Sequence, residues 1–140
     1  LSEADPANAA AYRRNEADFL RELDQLDAEI RAALKGVPRN RRAFLVFHPS
    51  WGYFAKTYGL TQEAVEIEGK EPGPKELSRL IDEAKKDGIK VVFIQPQFSK
   101  RTAEAIARAI DGRVALADPL AENWADNLRE AAKAFRASMK

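Results

Sequence analysis

The chain has 140 residues, 45% hydrophobic and 32% charged, which fits one globular domain with a core of its own. Its 23 basic and 22 acidic residues leave a net charge of +1, so there is no basic footprint for nucleic acid. Cysteine is absent, which excludes disulfide scaffolds, cysteine-held zinc and thiol catalysis.

The opening Leu1-Ser2-Glu3-Ala4-Asp5 is not a signal peptide and does not begin with Met, so a fragment or a processed chain is expected. No apolar run reaches the roughly 18 residues that a membrane span needs. Residues 6–35 read as one long helix. Asp5 can cap it and Pro6 suits its first turn. Phe19, Leu23, Leu26, Ile30 and Ala33 recur three and four apart and form a single apolar stripe. Gly36 and Pro38 stop it. A helix of roughly 30 residues runs about 45 Å, so part of the stripe is expected to lie beyond the cover of a small lobe.

The period then changes. Residues 43–47, Ala-Phe-Leu-Val-Phe, form an apolar run suited to a strand buried on both faces. The basic cluster just before it, Arg39, Arg41 and Arg42, reads as a solvated turn. His48 follows the run, and Ser50 is placed to cap a short helix that ends at Tyr58 with Gly59 as its stop. Residues 64–68 alternate as a second strand. A helix starts at Pro74 and ends before Gly88. Residues 91–94 are a third, fully apolar strand, followed by a turn over 95–98 and a helix capped by Ser99 and running to about Ile110. Residues 114–117 form the fourth strand, ended by Asp118-Pro119. A last helix covers 121–138 and places Trp124, Leu128, Ala131 and Phe135 on one face. The expected fold is therefore α/β: a four-stranded, mostly parallel sheet with helices on both faces, preceded by a long helix.

In such sheets ligands bind beyond the carboxyl ends of the strands. That rule selects His48, Glu68, Gln95, Gln97 and Asp118. His48 is the only histidine, and an imidazole converging with a carboxylate is half of a nitrogen/oxygen metal site. The neighbouring helix N-termini favour its neutral, metal-competent form. Plainer roles stay open. A lone histidine among aromatics is often a packed side chain, and Asp118 could cap the helix after Pro119. Glu68 and Glu71 fit solvated loop carboxylates. Trp51, Phe54, Tyr58 and Trp124 fit the core. No phosphate loop, GxSxG or HExxH signature is present, so no enzyme is expected.

Four segments carry a resemblance. His48-Pro49-Ser50-Trp51-Gly52-Tyr53-Phe54-Ala55-Lys56-Thr57-Tyr58-Gly59-Leu60, the loop 69–77, the stretch 92–99, and Ala117-Asp118-Pro119-Leu120 resemble, in order and spacing, the zinc/manganese periplasmic solute-binding family. The resemblance spans the chain but only the C-terminal half of the family's pattern, which has two α/β lobes joined by a long helix with the metal between them. It implies that residues 1–38 are the joining helix and 39–140 the C-terminal lobe. It implies that His48 and Asp118 are the third and fourth metal ligands, and that the missing N-terminal lobe supplies two histidines. Zinc would be bound fully only with that lobe. Manganese is the alternative, but its family members often carry glutamate at the third position. The implied partners are the metal ion and the membrane permease of an ABC transporter, in a periplasmic or membrane-anchored extracytoplasmic setting. Gln95 departs from the acidic residue of many relatives, and Glu122-Asn123-Trp124 departs from their glycine-rich continuation. The competing reading is a stand-alone α/β regulatory or protein-interaction domain, with a small enzyme third. Without the second lobe, the bare stripe of the long helix is expected to pair with another copy as a result of truncation.

Overall fold

Strands as apolar as 43–47 and 91–94 need cover on both sides, and the chain builds it. The computed structural model describes every residue except Glu68, Ser99 and Lys140. A long helix α1 (Ala9–Leu34) precedes β1 (Ala43–Val46), α2 (Gly52–Tyr58), β2 (Thr61–Ala64), α3 (Pro74–Lys86), β3 (Val91–Ile94), α4 (Lys100–Ala109), β4 (Arg113–Leu116) and α5 (Trp124–Ser138). The strands pair in the order β2-β1-β3-β4, every pair parallel. Successive strand residues face opposite sides. Phe44 and Val46 thus join the layer of α1, α2 and α5, while Leu45 and Phe47 join that of α3 and α4.

The first layer is centred on Phe135 of α5. Its ring stacks on Phe44 at 4.2 Å and meets Phe93, Trp51 and Phe54 edge-on at 4.8, 5.2 and 5.7 Å. Trp51 and Phe54 are therefore core residues, as their plainer reading expects. Trp124 is not: it stays 40% exposed and its ring meets that of Phe19 edge-on at 5.8 Å.

The long helix begins later than expected. Pro6–Asn8 form a 3₁₀ turn, and Asp5 makes no side-chain bond to cap it. Its carboxylate instead accepts from the Asn8 amide and the Tyr12 hydroxyl, each at 2.8 Å. These bonds, Asn8's first, hold the Asp5 carboxyl below its ordinary range. Only the second half of the stripe is covered. Leu26, Ile30 and Leu34 are buried, whereas Phe19 and Leu20 are about half exposed. Arg129 of α5 fastens the covered half through Glu29 at 2.5 Å.

The second strand is the largest correction. It occupies Thr61–Ala64 rather than 64–68. The alternating residues 64–68 imitate a strand, but the sheet edge is formed by a more polar segment held through backbone pairing. At smaller scale, β4 starts and ends one residue earlier than expected, and α5 starts at Trp124 instead of Ala121. Ser50 does not cap α2, whose N-terminal flank is Trp51. Gly59 does end α2 with φ +65°, a left-handed conformation that suits glycine. The expected cap at Ser99 lies outside the described residues.

Candidate metal-binding rim

The strand order reverses direction around β1: the chain leaves it toward β2 on one side and toward β3 and β4 on the other. The crevice this creates lies at the carboxyl ends of β1 and β3, and His48 sits at its mouth, two residues beyond β1. The parallel register pairs Val46 with Ala64. Backbone bonds from Val65 to Val46 (2.9 Å) and from Glu66 to Phe47 (3.0 Å) carry the pairing onward. Glu66 is thereby delivered beside His48. Its Oε2 lies 2.6 Å from His48 Nδ1, and the imidazole stacks on Phe98 with ring centres 5.2 Å apart. The histidine side chain is 41% exposed and the glutamate 9%. The carboxylate thus lies behind the ring, which faces outward.

Gln95, at the end of β3, is buried. Its Nε2 donates to Ser50 Oγ at 2.6 Å and to the His48 carbonyl at 3.4 Å. It therefore ties the loop after β1 to β3. Its Oε1 is buried and has no partner among the described residues. Ser50, expected as a helix cap, is an acceptor in this tether instead.

Asp118 is half-buried, two residues beyond β4. Its Oδ1 accepts from the Leu120 amide at 2.9 Å, closing a local turn, while the Asn127 side chain donates to its carbonyl at 2.7 Å. The alternative role as a cap on the last helix does not hold, because α5 starts only at Trp124 and its N-terminal flank is Asn123.

His48 and Asp118 share one rim of the sheet, with β3 between their strands. Two interstrand spacings put their strands roughly 10 Å apart. Among the described residues no three His, Cys, Asp or Glu side chains come together as a metal cluster. The other described rim positions do not add a donor. Gln97 is exposed, Glu71 is exposed and accepts from the Thr102 hydroxyl at 3.3 Å, and Glu68 lies outside the described residues. A groove of about 590 Å³ lies at the opposite edge of the sheet, lined by Arg41, Lys86 and Lys90 among others, and shares no residue with the rim.

Sequence reasoning missed Glu66. The signal that finds it is strand register: a second strand begun three residues and ended four residues too late makes Glu68 the rim carboxylate, whereas the pairing of Ala64 with Val46 selects Glu66.

Residues 1–138 match the family described as zinc-uptake complex component A, periplasmic. The chain belongs to that family. Its curated relatives include the high-affinity zinc uptake system protein ZnuA of Brucella abortus, 32% identical over 129 residues, a stretch that is 90% of this chain and 38% of the relative. A crystal structure of ZnuA superposes with a TM-score of 0.95 at 44% identity, over 99% of this chain and 54% of that one. A zinc-bound ZnuA deletion mutant gives 0.92, also at 44% identity, over 99% and 53%. The chain therefore spans well under half of that curated relative and about half of these family structures. The four-stranded parallel sheet with its long leading helix is the architecture of this family's solved members.

Proposed function

We propose that this chain is the C-terminal lobe, with its joining helix, of an extracytoplasmic binding protein that captures a divalent transition metal, zinc before manganese, and hands it to the membrane permease of an ABC transporter. Residues 1–38 would join the lobes and 39–140 form this one. His48 and Asp118 would be two of the ligands, and the part of the relatives' length that this chain does not span would supply the others. The metal is cargo, and the chemistry is binding without catalysis.

One observation carries the reading: the only histidine projects from the sheet's switch point with a largely buried carboxylate on one ring nitrogen and the other nitrogen without a hydrogen-bond partner among the described residues. Metal-binding histidines are commonly backed in this way. Zinc is preferred over manganese because an imidazole is a softer donor than a carboxylate. The relatives' names, and the zinc in the deletion mutant, support the same choice.

Two protein ligands of the usual four leave a solvent-open site. The 140-residue chain alone should therefore bind zinc weakly, and a longer protein carrying both lobes should bind it tightly and one to one. Calorimetry on the two proteins tests this. Tight stoichiometric binding by the monomeric 140-residue chain would refute the half-site. The bare apolar end of α1 supports a second element of the proposal, that this surface packs on the other lobe and pairs with a second copy when that lobe is missing.

A further inference from the structure

We propose that Glu66 is a positioning residue for the metal: it holds His48 in the Nδ1–H tautomer and so presents the bare Nε2 lone pair to the ion. The proposal rests on the reading of His48 as a metal ligand, and deepens it.

The geometry carries the argument. Carboxylate oxygens are acceptors, and the 2.6 Å contact between Glu66 Oε2 and His48 Nδ1 has the geometry of a bond donated by Nδ1–H, the arrangement the proposal assigns. A neutral imidazole has one N–H, and with that proton committed Nε2 is left as a donor atom for the metal. The arrangement is directional. Glu66 is the more buried partner, 9% exposed against 41%, and it is set by the β1–β2 backbone ladder rather than by a flexible loop. Phe98 covers one face of the ring, and the Gln95 side chain reaches the His48 carbonyl and Ser50. Ring plane, tautomer and backbone are therefore held without any metal and without a second lobe. The ordering cost of this ligand is met in advance, which is how a second partner raises affinity.

The presence of one histidine makes the test unambiguous. In the 140-residue chain, ring ¹⁵N shifts at about pH 8.5, where free imidazole is neutral, report the tautomer directly. The wild type should show Nδ1 protonated and Nε2 bare, the reverse of the form that a free histidine side chain in water favours. Glu66→Ala should lose that preference. Glu66→Gln, which keeps the shape and one acceptor oxygen, should retain part of it. Titration with zinc chloride should then shift Nε2 in the wild type, with affinity about ten-fold weaker in Glu66→Ala and intermediate in Glu66→Gln. The amide spectrum of β3 and β4 checks that each variant is folded. If Glu66→Ala does not fold, the isosteric Glu66→Gln carries both measurements.

A wild-type ring protonated at Nε2, or a tautomer and zinc affinity unchanged in the variants, would overturn the proposal. A wild-type ring in the expected tautomer that zinc never moves would instead overturn the metal reading of His48 and leave Glu66 a structural partner. That failure is visible before any variant is made.

Discussion

The two ends of the sheet's carboxyl rim are built to different standards. At the β1 end, His48 is gripped by Glu66, stacked on Phe98 and tethered through Gln95. At the β4 end, Asp118 commits one oxygen to its own turn, its carbonyl accepts from Asn127, and the leucines two residues to either side of it stand bare: Leu116 is 56% exposed and Leu120 77%. One corner is held by several side chains, and the other leaves apolar side chains exposed. The difference teaches that two residues on one rim can be preorganised to different degrees, and that the proposed half-site would be held more firmly at His48 than at Asp118.

The largest test of this contrast is the loss of the better-held rim residue. In a protein carrying both lobes, His48→Ala should lower zinc affinity at least ten-fold and leave the fold intact, since the ring is partly exposed. Competition with a chelator and circular dichroism measure the two quantities. Unfolding with unchanged binding would make His48 a packing residue after all.

Asp118 separates ligand from turn. Asp118→Asn keeps an oxygen for the Leu120 amide but loses the charge, so zinc affinity should fall with little change in stability. Asp118→Ala should lose both, with stability down by about 1 kcal/mol in urea unfolding. Equal stability for the two variants would show that the turn bond contributes nothing.

The unfinished corner can be probed without metal. The isolated chain should self-associate at high concentration through the bare half of α1, and Leu23→Lys should abolish this. Light scattering across concentration reads the outcome, and a strict monomer throughout would mean that the stripe needs no partner.

The smallest effect concerns the edge strand that leads into Glu66. Glu63 on β2 is partly buried, and its carboxyl is pushed above the ordinary 4.5 first by that burial and then by the charge of Asp87. The folded chain thus holds this proton more firmly than the unfolded one. The resulting penalty is fully present above the raised value and vanishes as pH falls below 4.5. Glu63→Gln should raise the melting temperature by a few degrees at pH 7, and the gain should fade below about pH 4. A gain independent of pH would assign the effect to packing.

Much of this molecule is legible in its sequence, for identifiable reasons. Val91–Ile94 and the core of β1 announce themselves because central strands buried on both faces must be apolar throughout. His48 and Asp118 are legible as rim residues because a parallel sheet puts its ligands beyond strand ends. Thr61–Ala64 is not legible, because an edge strand is held by its backbone and needs little apolar character, while the alternating residues beside it look more like a strand than the strand does. Glu66 disappears with that error, since its role is a matter of register. Trp124 misleads for a different reason: helical periodicity gives a face, but not whether anything stands opposite it.

Phe135 has one more implication, which concerns the order of synthesis. The ring that joins Phe44, Phe93, Trp51 and Phe54 belongs to the helix that follows every other element. While the ribosome is still making α5, the sheet has one finished face and one open face, and α1 has no Arg129 to hold it. The lobe can close only after α5 has been made, so a translation stop between β4 and Phe135 should yield a chain with every strand present and no stable fold.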